Sequence, residues 1–479
     1  MTIDFIKTSL YFLNALIFNF CIAFYLMSAL QWYSYKFKRI IFHYHKPLWH
    51  LYFLAIPYLL FLIFPLYSLP YFIFIHTAFL YFWNKKIDKK LVFTAKIKIF
   101  FLFVFIFSIL FSILSWKFSF LFNFLSLPFA LFALKIYEIL QAGYFKRKAK
   151  TKIFSNKNLK IILITASFGK TSIKNFLYEL LKDDFITYKT PRSVNTLMGI
   201  VKDINENLVA HTQIYIAEAG ARNKGDILEI TRFLEPQICI IGEIGNAHLE
   251  YFKNRENIKN TKLEALNSKR LQKAFLHTST GKKSNEFIEL YDEKLLKVHS
   301  TLEGLKFQML LKEKEQDFEC KILGAFNAEN LCVCVLCASF LGVENSKIQK
   351  QMSQIKSVEH RLELISKEPK FIIDDGFNGN FKGMSASYEL CKHYKGRKIL
   401  VTPGIVEVNE EENIKLCKII NECFDLAIIT ASINAEIFKN ELKIQTLILK
   451  NKAELVETLA QYTQNGDLIL FSNDAPSYL

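Results

Sequence analysis

Five stretches without a single Asp, Glu, Lys or Arg occupy most of the first 134 residues, at positions 10–30, 48–66, 68–83, 99–116 and 118–134. A helix rises 1.5 Å per residue, so about 20 uncharged apolar residues cross the ~30 Å hydrocarbon core of a bilayer. Five such runs in series predict a membrane region over residues 1–145 with about five transmembrane helices; the run at 68–83 is the shortest. Charge supports this. Residues 1–152 hold 18 Lys and Arg against 3 Asp and Glu, whereas the rest of the chain holds 43 against 42, so the net charge of +16 belongs almost entirely to the first third. Basic residues lying between apolar runs fit a membrane better than nucleic acid, which is excluded as a partner.

The basic residues also predict an orientation. Lys36, Lys38, Arg39 and Lys46 follow the first run, Lys85, Lys86, Lys89, Lys90, Lys96 and Lys98 the third, and Lys135, Lys146, Arg147, Lys148, Lys150 and Lys152 the fifth. Only Lys7 and Lys117 fall on the other side. Positive charge stays inside, which predicts a multi-pass protein of the inner (cytoplasmic) membrane with its N-terminus outside and its remaining domains in the cytoplasm. The first run lacks a basic n-region and a small-residue cleavage site, so a cleaved signal peptide is not expected. Residues 143–160 read as a linker.

Beyond the linker the sequence changes character. Ile161-Ile162-Leu163-Ile164 reads as a buried parallel strand, Thr165-Ala166-Ser167-Phe168 as a small-residue turn, and Gly169-Lys170-Thr171-Ser172 as the opening of a helix whose apolar positions are Ile173, Phe176, Leu177 and Leu180. A turn of this kind aims backbone N–H groups and a helix N-terminus at one point, which suits a polyphosphate. ATP is the expected ligand, with Lys170 reaching the terminal phosphates and the Thr171 hydroxyl on Mg²⁺.

Further strands are expected at 160–165, 214–217, 237–241, 371–374, 398–402, 426–430, 446–449 and 468–471. Their alternation with helical patterns predicts an α/β P-loop ATPase domain at 156–357 and a smaller, Rossmann-like α/β domain at 358–479. Glu218 ends one strand and can reach a Mg²⁺ held by Thr171. His248 follows another and is a candidate metal ligand, and Lys262 and Glu264 come one helix later. Nine cysteines, an odd number, point to a reducing compartment rather than a disulfide framework; Cys332, Cys334 and Cys337 lie in an apolar helical run and read as core.

Seven motifs in register resemble the ATP-dependent Mur ligases of peptidoglycan synthesis: 165–172, Glu218-Ala219-Gly220-Ala221, Gly245-Asn246-Ala247-His248-Leu249-Glu250, Lys262-Leu263-Glu264, Gly324-Ala325-Phe326-Asn327-Ala328-Glu329-Asn330, Arg361-Leu362-Glu363 and Asp374-Asp375-Gly376-Phe377-Asn378-Gly379-Asn380. The last is most like the member that adds D-alanyl-D-alanine. The resemblance implies that ATP phosphorylates the terminal carboxylate of UDP-N-acetylmuramoyl-tripeptide, and that the amine of D-alanyl-D-alanine then displaces phosphate. It implies ATP contacts at Ser167, Gly169, Lys170, Thr171, Ser172, Asn327, Asn330, Arg361 and Asp375, and substrate contacts at Thr190, Asn195, Asn378 and Asn380. Two Mg²⁺ ions are implied, one on Thr171 and Glu218, the other on His248 and a carbamoylated Lys262. Membrane enzymes of cell-wall assembly are the implied neighbours. Phe168, Arg192, Ser193, Glu243, Phe326 and Phe381 depart from the family's usual residues, and apolar runs stand where the family carries a soluble domain that grips the uridine nucleotide. The other readings are a different Mur-type or folylpolyglutamate-type ligase, or a membrane-anchored P-loop ATPase without ligase activity.

Overall fold

The computed structural model describes the chain apart from residues 1, 34, 36–47, 88, 193, 246–251, 378, 407–409, 450 and 475–479, and it forms two compact units, Met1–Tyr144 and Phe145–Leu479. Three helices among the described residues are long and apolar enough to cross a membrane: Asp4–Trp32, Ala95–Lys117 and Phe120–Ser155. This corrects the expected five. The run at 48–66 forms the shorter helix Leu48–Ile63, and the run at 68–83 forms Tyr71–His76 continued by Thr77–Lys86. Sixteen residues give about 24 Å, short of a full crossing. Pro65 and Pro70 flank the turn between the two, where neither helix can extend.

Within the first unit, Ala95–Lys117 turns Ser108, Ser112 and Ser115 inward with Phe100 and Val104, and leaves Leu102, Phe105, Ile106, Ile109, Leu110 and Ile113 exposed. Three serines inside, beside Ile97, Phe100, Val104 and Phe111, and only large apolar residues exposed from 99 to 116 are not the pattern of a water-soluble helix. They suit helices that pack closely while lipid covers their outer face. Buried amides are partnered across the bundle: Asn14 Nδ2 donates to Pro65 O (2.7 Å) and Ser68 Oγ (2.9 Å), and Asn19 Nδ2 to Asn123 Oδ1 (3.2 Å).

The second unit opens on helix, not on a linker. Residues 145–155 are the last turns of Ser126–Ser155, and Ala149 and Ile153, four apart, are buried in the core of the first α/β domain. Lys146 pairs with Glu229 (2.9 Å), and Lys152 Nζ donates to Ile204 O (2.9 Å) and Asn205 O (3.3 Å), at the C-terminal end of the helix Leu197–Glu206. The charge run hid an i, i+4 apolar pair.

The first α/β domain is a six-stranded, wholly parallel sheet in the order β2-β3-β1-β4-β5-β6. Its strands are β1 (Lys160–Thr165), β2 (Thr187–Lys189), β3 (Ile214–Glu218), β4 (Ile238–Ile241), β5 (Lys273–Leu276) and β6 (Ile288–Leu290). β1 is buried from Ile161 onward because helices cover both faces, hence its unbroken apolar run. An antiparallel sheet follows, β7 (Leu295–Thr301), β8 (Gly304–Leu311) and β9 (Lys314–Cys320). The helix Asn327–Phe340 then packs beside Lys170–Leu181, with Cys332, Cys334 and Cys337 in the core. All nine cysteines are free and buried.

The last sheet runs β10-β11-β15-β12-β13-β14, parallel except for β10. Here β10 is Glu363–Ser366, β11 Phe371–Asp375, β12 Lys398–Thr402, β13 Leu426–Ile429, β14 Gln445–Ile448 and β15 Leu468–Ser472. Each of the eight expected strands is present with its ends shifted by no more than one residue.

Candidate active site

In the parallel sheet the chain leaving β1 turns toward β2 on one side and the chain leaving its neighbour β4 toward β5 on the other, the topological switch point at which such sheets bind ligands. Residues 166–169 bridge β1 to the helix Lys170–Leu181. Gly169 holds φ +78, which favours glycine, and a Cβ on it would lie 2.6 Å from Asn330 Oδ1, so a larger residue must also displace that side chain. Gly169→Ala is expected to cost about 1–2 kcal/mol in backbone strain and to weaken ADP binding; calorimetric titration giving wild-type affinity would overturn that assignment.

The loop is fastened to the segment after β4, with Ser167 N donating to Glu243 O (2.9 Å) and Ser167 Oγ to Gly245 O (3.1 Å). Phe168 packs over Gly245, where a Cβ would meet its ring at 2.4 Å, so this departure from the family pattern is absorbed by a glycine. Lys170 Nζ folds back onto Ala166 O (2.9 Å) and Ser167 O (3.3 Å). Burial pulls its ammonium below the ordinary lysine value, opposed by Glu218 and reinforced by Arg361. Ser172 is buried in the first helical turn.

Glu218 closes β3 and is buried. Its Oε2 accepts from Thr171 Oγ1 (3.0 Å) and pairs with Lys174 Nζ (3.1 Å), a lysine as buried as itself. Lys174 also donates to Arg192 O (2.5 Å), Thr190 Oγ1 accepts from Glu218 N (3.2 Å), and Gly220 N donates to Asn195 O (2.8 Å). The expected substrate loop is thereby tied to the expected metal ligand. Lys262, at the end of the helix Arg255–Leu263, is buried, and its Nζ makes no hydrogen bond or ion pair with any other described residue. Its pKa is pushed down to about 7, chiefly by burial and then by the charge of Lys170, with Asp226, Glu218 and Glu264 opposing. Glu264 itself accepts from Gly225 N (2.9 Å) and Leu228 N (3.0 Å) around the start of the helix Asp226–Leu234.

Asn327 is buried and donates to Leu323 O (2.8 Å), while Asn330 donates to Asn327 Oδ1 (3.0 Å) and meets the loop at Gly169. From the C-terminal domain, Arg361 donates to Phe377 O and stacks over its ring at 5.7 Å. Burial lowers its pKa, with Asp375 and Glu218 opposing. Asp375 Oδ1 accepts from Leu362 N (3.0 Å), and Asn380 caps the helix Phe381–Lys392 by accepting from Gly383 N (2.9 Å). His248 and Asn378 lie outside the described residues. Two residues missed in the sequence are Lys174, one turn beyond Lys170, and His360, whose Nδ1 is 2.5 Å from Asp374 Oδ2. The spacing could have signalled Lys174; nothing local signals His360.

Residues 164–338 match the family described as the Mur ligase middle domain, which with the phosphate-binding loop at the end of β1 gives this region the class of an ATP-dependent amide ligase. Among relatives, the UDP-N-acetylmuramoyl-tripeptide–D-alanyl-D-alanine ligase of Bacillus subtilis is 27% identical over 338 residues, covering 65% of this chain and 72% of that protein. The enzyme of the same name from Borreliella burgdorferi is 26% identical over 273 residues, covering 54% of this chain and 58% of that one, so less than two thirds of that relative is spanned. The MurF ligase of Thermotoga maritima in complex with ADP shares the fold, with a TM-score of 0.61 at 21% identity over 70% of this chain and 80% of that one.

Proposed function

We propose that the chain joins D-alanyl-D-alanine to UDP-N-acetylmuramoyl-tripeptide at the cytoplasmic face of the inner membrane. The observation that carries the ligation chemistry is the gathering of Lys170, Thr171, Lys262 and Arg361 of the C-terminal domain around Glu218, and the choice of D-alanyl-D-alanine rests on the similarity to the ligases of that name. A carboxylate reacts poorly with a triphosphate because both are anionic, so cationic groups must neutralise the pair. A carboxylate oxygen attacks the γ-phosphorus and ADP leaves. The amine of the dipeptide then attacks the acyl carbon, phosphate leaves, and the nitrogen loses a proton. Lys170 and Arg361 hold phosphate charge, Asn330 borders the loop on the nucleotide side, and Thr190 and Asn195 face the tripeptide. Closure of the C-terminal domain excludes water from an acyl phosphate that water would destroy.

The donor set fits a divalent cation. Thr171 and Glu218 present a hydroxyl and a carboxylate oxygen 3.0 Å apart, and Lys262, buried with its amine shifted toward neutrality, is suited to take up carbon dioxide and become an anionic oxygen ligand. His248 would join Lys262 at a second ion. Mg²⁺ bound there supplies charge neutralisation of the phosphates. The apolar helices hold the enzyme, N-terminus outside, beside the membrane enzymes that consume its product.

The test is phosphate release by the detergent-solubilised full chain given ATP and the tripeptide nucleotide. Release that depends on D-alanyl-D-alanine is expected. Dependence on a single amino acid would instead indicate another Mur-type or folylpolyglutamate-type ligase, and release that needs no acceptor an ATPase.

A further inference from the structure

The segment after β4 is fixed by its backbone on three sides. Glu243 O and Gly245 O accept from Ser167, Ile244 N donates to Ser279 Oγ (2.9 Å), and Arg255 Nη2 donates to Ile244 O (2.9 Å). The Glu243 side chain leaves this anchored segment and reaches the C-terminal domain, where Oε1 lies 2.6 Å from Lys382 Nζ. Lys382 is the second residue of the helix Phe381–Lys392. A cation in a first helical turn opposes the helix dipole, so this lysine has no local reason to be there. A carboxylate across the domain junction supplies one, and Glu329, on the first turn of Asn327–Phe340, adds a second negative charge that Lys382 feels.

We propose that Glu243 is a positioning residue: its pairing with Lys382 docks the C-terminal domain, and with it Arg361, against the phosphate-binding loop. The link is continuous, from Ser167 in the loop through the Glu243 backbone and side chain to Lys382 and the helix it opens. Both partners are partly exposed, Lys382 at 61% and Glu243 at 28%. Such a pair contributes little to folding. It is enough to bias two arrangements of domains that differ by a small free energy, and nucleotide affinity follows the fraction that is docked.

The inference deepens the ligase reading and rests on it only for its kinetic readout. In the full chain in detergent, E243K and K382E are each expected to raise the KM for ATP about ten-fold through like-charge repulsion, with kcat and melting temperature close to wild type. The exchanged pair E243K/K382E restores the KM to within about three-fold, because the attraction is re-formed with reversed sign. Singles with wild-type KM, or an exchanged pair no better than the singles, would overturn the proposal. If no acceptor supports ligation, the same four proteins are compared by calorimetric titration with ADP. A charge-dependent pattern of affinity there sustains the positioning role even as the ligase reading fails, and a flat one removes it.

Discussion

Lys174→Met is expected to lower the melting temperature of the soluble domains by roughly 6–15 °C, the counterpart of about 3–5 kcal/mol lost when one member of a buried ion pair is removed. Lys174 and Glu218 are 1% and 2% exposed and 3.1 Å apart, so without the ammonium the buried carboxyl group loses its counter-charge and stays poorly solvated. The loop at 190–195 is released as well, because the same Nζ holds Arg192 O. A cation bound to Glu218 supplies the missing positive charge, so millimolar Mg²⁺ should raise the melting temperature of Lys174→Met more than that of the wild type. A variant that melts with the wild type, or whose loss ignores Mg²⁺, would show that Glu218 is not held as the geometry implies. Lys174→Arg is the control, since it keeps the charge and loses only part of the fit.

Lys174 illustrates where the sequence is legible and where it is not. β1 could be read directly because a strand covered on both faces has to be apolar throughout, and Gly-Lys-Thr after it has few other uses. Glu218 was readable for a similar reason, being the first charge after an apolar strand. β7 to β9 were not: β8 alternates buried apolar residues with more exposed ones, as in Lys306, Phe307, Gln308 and Met309, β9 is buried only near its end and β7 nowhere, so no continuous run announces them. The helix from 145 to 155 was masked by its own lysines, whose partners Glu229 and the Ile204 carbonyl are far away in sequence. His360 against Asp374 and Glu243 against Lys382 are likewise products of tertiary folding, invisible to any local pattern. In the first unit composition overstated the number of long helices, because hydropathy counts apolar residues and takes no account of prolines at 65 and 70 that end them.

Lys262→Ala is expected to reduce ligation by about 10²–10³-fold while leaving the melting temperature unchanged or slightly higher. The two effects separate because of the environment of the lysine. Burial without an ion partner holds its pKa at about 7, below the ordinary 10.5, so its charge opposes folding. Between those values the unfolded chain carries the extra proton, and the lysine's contribution to stability therefore improves as pH rises from about 7 toward 10.5 and is least favourable below about 7. Removing it forfeits no ion pair with a described residue, unlike Lys174. Only the neutral amine can add carbon dioxide. In bicarbonate-poor buffer wild-type activity should fall as pH drops through about 7, and added bicarbonate should recover it. A diffusible carboxylate can occupy the space left by the alanine and offer the same anionic oxygens, so formate or acetate at tens of millimolar, roughly the range expected for a weakly held small anion, should restore part of the activity of Lys262→Ala. Chloride at equal ionic strength should not. Rescue by every anion alike, or by none, would mean that this lysine acts through its ammonium, and the two-cation reading of the site would have to be abandoned.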